Sequence, residues 1–383
     1  MTESRKGFFY SLIMFGFFIA SKLMHQKPHL EGRGYLKDIP TPILFTVTHD
    51  SYAEVPSLSW VYYALKPKPN FLIMAKNEFL SGRYLSTNYA KNNRFIRSIL
   101  LFLDTTGLPL AIFRTLNLSS VERPFIEQIS MKKPELKNTI SGQLNQFSQG
   151  AERGLSTLIF PEGTTWGYGG LKKIRSGVYQ IVESTFQAVN KKVYVLPINV
   201  KMDRLAKGAK DVFINVGKPF FMRKPKEEFN RAIHETLQSL HTITFSQIAS
   251  FYFRCRAEIM TTAENVAVEK EKFITEIEKI THDIHEQVTA RVLPYMDSTL
   301  LNHDYLLRKV DHFLKYLRKT NYIQEIRQRG HSAILVVNCE KILADYAPKE
   351  YRKRNPLGYH ANELTSLGED IIRSIYDRYL VAG

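Results

Sequence analysis

Thr157-Leu-Ile-Phe-Pro-Glu-Gly-Thr164 joins a short apolar run to a polar turn. The run at 157–160 is rich in residues that favour strands, which predicts a buried β-strand. Pro161 and Gly163 end that strand, so we expect backbone donors and the carboxylate of Glu162 at the edge of a sheet. A plain strand-to-loop turn is the alternative, although a string of this kind arises rarely by chance.

Similar runs lie on both sides of this stretch, each bounded by turn or breaker residues: Ile43–Val47, Phe71–Ala75, Val193–Val200 and Val212–Val216. Apolar residues at helical spacing separate several of them. One such stripe covers residues 136–147 and stops at Gly150, a predicted helix C-cap. Strands that alternate with helices predict an α/β fold in which helices flank a central sheet and the chemistry lies at the strand ends.

Beyond about Pro225 the strand signals fade and amphipathic helical patterns replace them. The clearest stripes cover residues 273–288, 306–317 and 371–380. We therefore predict three parts along the chain: an N-terminal membrane-associating helix at residues 1–30, an α/β domain at 31–225, and a mostly helical C-terminal extension at 226–383.

The N-terminal part contains the strongest apolar segment, which runs from Gly7 to Ser21 with Arg5 and Lys6 before it and Lys22 after it. As a helix its 15 residues extend roughly 22 Å, at 1.5 Å per residue. A bilayer core is about 30 Å thick, so the segment is short for an independent span. We predict an interfacial or re-entrant anchor on the cytoplasmic face, where basic flanks meet anionic lipids. A cleaved signal peptide and an ordinary buried helix stay open as alternatives.

The charge of the chain predicts an anionic partner. Lys and Arg number 53 against 37 Asp and Glu, which gives a net charge of +16. A membrane surface and a phosphorylated substrate both fit this excess, whereas no recognisable motif supports nucleic-acid binding. With 44% hydrophobic and 23% charged residues, the chain is neither disordered nor a fibrous rod. Two cysteines, Cys255 and Cys339, cannot form a disulfide framework or a Cys-rich zinc site, and we expect no metal and no bound cofactor.

A histidine and a carboxylate follow the first predicted strand of the α/β domain. His49 lies just past Val47, and Glu54 comes five residues after His49. A carboxylate at this spacing can fold back, accept the Nδ1 proton and leave Nε2 free as a general base. With 11 histidines in the chain, roughly one such pair is expected by chance, so a capping or core histidine is the alternative.

Together the motifs resemble the glycerolipid acyltransferases, the superfamily that contains lysophosphatidate and glycerol-3-phosphate acyltransferases. Four blocks follow the order of that family over roughly residues 35–225: His49-Asp-Ser-Tyr-Ala-Glu54, Asn117-Leu-Ser-Ser-Val-Glu-Arg123, Phe160-Pro-Glu-Gly-Thr164 with Arg175-Ser-Gly177 downstream, and Val195-Leu-Pro197-Ile with Val216-Gly-Lys-Pro219 after it. A Lys-x-Glu pair, Lys76 and Glu78, lies between the first two blocks.

The resemblance implies a mixed central sheet and an O-acyltransferase of phospholipid biosynthesis. The donor would be acyl-CoA or acyl-ACP, as a co-substrate, and the acceptor a lysophosphatidate-type hydroxyl. His49 would be the general base and Glu54 its orienting carboxylate. Further residues would hold the phosphate-bearing head group: Lys76, Arg123, Glu162, Gly163, Thr164 and Arg175. No Gly-x-Ser-x-Gly elbow is present, which argues against an α/β-hydrolase.

Several positions depart from the family pattern, and those in the second and third blocks leave the acceptor open. Glu54 replaces the commoner Asp, and Thr165 stands where an Arg usually follows Glu-Gly-Thr. Asn117 and Ser120 replace the usual Gly and aromatic residue of the second block. Residues 355–362 resemble the helical extension of longer glycerol-3-phosphate acyltransferases, so glycerol-3-phosphate or another lysophospholipid is the alternative acceptor. A catalytically silent membrane-binding module is the alternative of another class.

Overall fold

The computed structural model describes residues 3–48, 52–76, 86, 94–115, 118–121, 142, 145–163, 167–206, 210–259, 265–327 and 332–380. Seven strands form its main sheet: β1 (Gln26–Glu31), β2 (Ile43–Val47), β3 (Phe71–Lys76), β4 (Leu118–Val121), β5 (Ser156–Ile159), β6 (Tyr194–Met202) and β7 (Lys210–Val216). Their order is β1-β7-β6-β2-β5-β3-β4. Strands β2 to β6 run in one direction, and β7 pairs antiparallel with β6 and parallel with β1. The sheet is therefore mixed, as predicted.

The five predicted apolar runs are all strands, within a few residues of the predicted bounds. Two strands, β1 and β4, were not predicted. β1 reads Gln-Lys-Pro-His-Leu-Glu, which is too polar to be recognised as a strand. Pro28 is tolerated in β1 because the strand lies at the edge of the sheet, where one side needs no backbone donors.

Helices cover both faces of the sheet. Successive side chains of a strand point to opposite faces, so Leu44 and Phe45 of β2 belong to different cores. On the Phe45 face pack α1 (Glu3–Leu23) and α2 (Leu58–Ala64). On the Leu44 face pack helical residues 145–152, α5 (Gly177–Val189) and α6 (Lys226–Ser239). Two further helices, α3 (Arg94–Thr105) and α4 (Leu108–Thr115), precede β4.

The helix that was expected to stop at Gly150 continues to residue 152. Gly150 instead allows close packing, because a Cβ there would lie 2.9 Å from Cδ2 of Leu72. The left-handed residue comes later, at Gly154 with φ +82°. The prediction of a C-cap at Gly150 is therefore wrong, and the left-handed glycine lies four residues further on.

The C-terminal extension surrounds a buried helix, α7 (Phe245–Ile259), whose aromatic side chains are part of a third core. The other helices are α8 (Lys270–Thr289), α9 (His303–Lys319), α10 (Cys339–Leu343), α11 (Pro348–Arg354), α12 (Pro356–Thr365) and α13 (Glu369–Leu380). Short strands β8 (Thr242–Ile243) and β10 (Tyr295–Met296) pair with each other, while β9 (Asn265–Glu269), β11 (Ile323–Ile326) and β12 (Ile334–Asn338) form a three-stranded sheet. The extension is mostly helical, as expected, but these small sheets were not predicted.

The apolar N-terminal segment forms helix α1, which partly packs on the sheet. Met14 is buried against the core, and the hydroxyl of Ser11 lies 3.3 Å from that of Tyr62. Leu12, Phe15, Ile19 and Leu23 of the same helix are 40–75% exposed. Across the described ranges of the chain, no helix combines the length and apolar character needed to cross a bilayer. The anchoring role of α1 stays a prediction.

Candidate functional site

Several of the predicted motifs lie at or just after the ends of strands, and these strands end at the same edge of the sheet. Because β2, β3, β4 and β5 are parallel, their carboxyl ends lie on the same side. Thr48 follows β2, Lys76 is the last residue of β3, and Pro161 and Glu162 come just after β5. Lys76 is in register with Val121, the last residue of β4. The first three family blocks and the Lys-x-Glu pair therefore lie at this carboxyl edge, whereas the fourth block lies within β6 and at the end of the antiparallel strand β7.

Several predicted site residues lie outside what the structure describes. These are His49, Arg123 and Thr164, together with the side chains of Glu54 and Lys76. The backbone at Glu54 belongs to a 3-10 turn over Tyr52–Ser57. The roles assigned to these five residues stay predictions.

Thr48, the residue before His49 in the chain, is hydrogen-bonded to β6. Its N–H donates to the Ile198 carbonyl at 3.0 Å, and its Oγ1 accepts from the Val200 N–H at 2.9 Å. The side chain is buried. These hydrogen bonds, all to β6, fix the end of β2 against that strand.

The loop after β5 folds back on itself and brings Glu162 and Arg175 into one turn. Gly163 has φ +73°, a left-handed conformation that favours glycine, and its N–H donates to the Phe160 carbonyl at 3.0 Å. The Arg175 N–H donates to the Pro161 carbonyl at 2.8 Å. An added Cβ on Gly163 would already touch Cγ of Arg175, at 3.4 Å. Arg175, which follows the Glu162-Gly163 motif further along the chain, is therefore its neighbour in space.

The Glu162 carboxylate helps to shape this loop. It is only 3% exposed, and its Oε2 accepts from the Lys172 N–H at 3.0 Å. Lys172 was not predicted, although it opens the basic run Lys172-Lys173-Ile-Arg175. Burial and the nearby Arg175 lower the pKa of the Lys172 ammonium, while Glu162 partly opposes that shift. The basic run 172–175 thus adjoins the buried carboxylate.

A narrow cleft of about 40 Å³ opens where the strand ends meet the C-terminal extension. Thr48 and Glu162 line it from the sheet edge, with Gly170 and Leu171 from the loop. The remaining lining residues are Asn199, Val200, Lys201, His241, Tyr359 and Glu363. Three of these, His241, Tyr359 and Glu363, come from the extension, so residues from outside the predicted α/β domain line the same cleft as Glu162.

Lys201 lines the cleft, but it was not predicted from the sequence. Its Nζ donates to Oε1 of Glu363 inside the protein. One signal was present in the sequence, because Lys201 directly follows the apolar strand run Val193–Val200. A lysine in a buried strand needs an opposite charge, but the sequence does not show which one.

Comparisons with known proteins address this arrangement. A family model described as Acyltransferase matches residues 29–201, from β1 to Lys201 in β6. Among solved structures, the fold is similar to the 1-acyl-sn-glycerophosphate (LPA) acyltransferase PlsC from Thermotoga maritima, with 14% sequence identity and a TM-score of 0.38. That similarity covers 62% of this chain and 81% of the other. No curated protein sequence matches the chain significantly.

Proposed function

From the match of residues 29–201 to the Acyltransferase family model, we propose that the chain is a glycerolipid acyltransferase that transfers a fatty acyl group from a thioester to the hydroxyl of a lysophosphatidate-type acceptor. One observation carries the proposal. The parallel strands β2, β3, β4 and β5 end at one edge of the sheet, each next to a motif of the family. A reaction that needs a base and cationic groups around one acceptor requires such a convergence.

The proposed reaction is a direct transfer in one complex of both substrates. His49 accepts the proton of the acceptor hydroxyl while the hydroxyl oxygen attacks the thioester carbonyl carbon. The carbon–sulfur bond breaks, and the proton passes from the imidazolium to the departing thiolate. Glu54 orients the imidazole and stabilises its charged form. Neither a covalent acyl-enzyme nor a metal ion enters these steps.

The acceptor is proposed to carry a phosphate monoester. Lys76, Arg123 and Arg175 would bind it with charge-assisted hydrogen bonds, beside the turn Glu162-Gly163-Thr164. The turn that joins Glu162 to Arg175, with Lys172 next to it, supports a site for an anion there. Glycerol-3-phosphate is the second candidate, because Tyr359 of the segment 355–362 lines the cleft.

The protein is also proposed to act at the cytoplasmic face of a membrane, with CoA or acyl carrier protein as the carrier of the acyl group. The exposed apolar side chains of α1 support this proposal. Lys22 lies at the end of the helix, and its Nζ is 5.0 Å from the centre of the Trp60 ring, so a cation and an aromatic ring adjoin the apolar surface. Apolar, aromatic and cationic groups together suit the interface of an anionic bilayer.

A competition between acceptors tests the function. Purified full-length protein is given one acyl-CoA and equal concentrations of lysophosphatidate, glycerol-3-phosphate and lysophosphatidylcholine, and the products are measured by mass spectrometry. We expect acylated lysophosphatidate to dominate, because a dianionic phosphate suits a cationic site. A preference for lysophosphatidylcholine would contradict the proposed head group, and no acyl transfer to any acceptor, with acyl-ACP also supplied, would contradict the enzyme activity.

A further inference from the structure

A buried ion pair joins the acyltransferase strands to the C-terminal extension at the wall of the cleft. The side chains of Lys201 and Glu363 are 4% and 2% exposed. The second carboxylate oxygen of Glu363 accepts from Nε2 of Gln247 at 3.1 Å and lies 2.8 Å from Nδ1 of His360. Buried charges are tolerated where such partners satisfy them. The pair is thus part of a hydrogen-bonded network and not an isolated contact.

On the strand side, the pair is connected to the segment that leads to His49. Lys201 directly follows Val200, whose N–H donates to Oγ1 of Thr48 at 2.9 Å. Thr48 in turn directly precedes His49 in the chain. A shift of Lys201 would therefore be transmitted through one residue and one hydrogen bond to the end of β2.

On the helix side, α12 holds the loop that follows the Glu162 turn. Nδ2 of Asn362, next to Glu363, donates to the Tyr168 carbonyl at 2.8 Å. Gly169 packs so closely that an added Cβ would lie 2.3 Å from the Tyr359 carbonyl oxygen. The same loop continues to Lys172, whose N–H donates to the Glu162 carboxylate. One turn of α12 thus contacts both Lys201 and the loop.

We propose that Lys201 and Glu363 are positioning residues for acyl transfer. Their pairing fixes α12 against the ends of β2 and β6, and α12 in turn holds the loop between Glu162 and Arg175. A misplaced helix would leave two unpaired charges in the interior, so one arrangement is strongly favoured. The functional unit therefore extends beyond residues 29–201 into the C-terminal extension. This inference rests on the proposed function, since it concerns the same site.

The kinetic test compares Lys201→Met and Glu363→Gln with a matched control, Lys309→Met. Lys309 is also buried, and it joins α9 of the extension to the main sheet through Asp203, just after β6, at 2.8 Å and Asp211 of β7 at 2.6 Å. It is not one of the residues that line the described cleft. We expect kcat to fall tenfold to about a hundredfold in the two pair variants, the usual cost of small misplacements, with little change in KM for the donor.

The control and the double variant separate positioning from stability. Lys309→Met should lower the melting temperature about as much as the pair variants, yet keep kcat within about twofold of wild type below that temperature. The double variant Lys201→Met with Glu363→Gln should lose no more kcat than either single variant, because both remove the same contact. A folded Glu363→Gln protein with wild-type kcat, or an equal loss of kcat in Lys309→Met, would overturn the inference.

A second readout does not depend on activity. Amide hydrogen exchange, measured by mass spectrometry on peptides that cover residues 167–175, should be roughly tenfold faster in Glu363→Gln and unchanged in Lys309→Met. Unchanged exchange in Glu363→Gln would refute the positioning contact even if the wild-type enzyme is active. If the wild-type protein transfers no acyl group but exchange is still faster in Glu363→Gln, the proposed function is refuted and the contact between α12 and the loop is supported.

Discussion

The proposed reaction depends most on a single side chain, the imidazole of His49. A positioned general base contributes about 10² to 10⁴ in rate, so we expect His49→Ala to lower kcat at least about a hundredfold. Glu54→Gln should also lose activity, whereas Glu54→Asp should keep much of it because the carboxylate remains. Steady-state rates with detergent-dispersed lysophosphatidate measure both effects, and circular dichroism checks the fold. Wild-type turnover by His49→Ala would rule out the proposed base.

At the scale of elements, the contact between α12 and the loop at 167–170 predicts an unequal pair of glycine variants. Gly169 and Gly154 have similar φ values, +91° and +82°. A Cβ on Gly169 would meet the Tyr359 carbonyl oxygen at 2.3 Å, whereas a Cβ on Gly154 has open space. The left-handed conformation alone costs a non-glycine residue about 1–2 kcal/mol.

We therefore expect Gly154→Ala to lower the free energy of unfolding by about 1 kcal/mol and Gly169→Ala by at least about 2–3 kcal/mol, because only the second forces a helix and a loop apart. Urea unfolding followed by circular dichroism gives both values. Equal losses would mean that the loop at Gly169 gives way without disturbing α12, and that the close contact is not important for stability.

At the scale of the whole molecule, α1 is part of the fold as well as the proposed membrane contact. Because Met14 is buried, removing the helix would damage the core, so substitutions on its exposed side are the better test. A triple variant at Leu12, Phe15 and Ile19, each to Ser, should weaken co-sedimentation with anionic liposomes at least about tenfold, since less apolar area enters the interface.

The matched control replaces three equally exposed apolar residues elsewhere, Val189, Ile259 and Val292, which are 47–49% exposed. It should bind liposomes like wild type. If both triple variants lose binding equally, the membrane contact is not specific to α1. Binding of the wild-type protein should also weaken with salt, because part of the attraction comes from the net charge of +16.

The amino-acid sequence by itself determined the chain positions of five of the seven main strands, the chain positions of the family motifs and the mostly helical character of the extension. These features are local: a continuous apolar run such as Ile43–Val47 predicts a buried strand, and the turn Pro161-Glu-Gly163 ends one, whatever lies further along the chain. The neighbourhood of Glu162 and Arg175 could be expected for the same reason, since few residues separate them.

Only the tertiary structure decided which distant segments complete the sheet and the site. Gln26–Glu31 is polar and contains a proline, and it becomes a strand because β7 offers a parallel edge. Lys201 and Glu363 are 162 positions apart, and their pairing depends on how α12 packs on the sheet. A lysine in an apolar strand indicates from the sequence alone that a charged partner is needed. Which residue that partner is depends on the packing of the whole chain, because electrostatic attraction depends on distance in space and not on separation along the sequence.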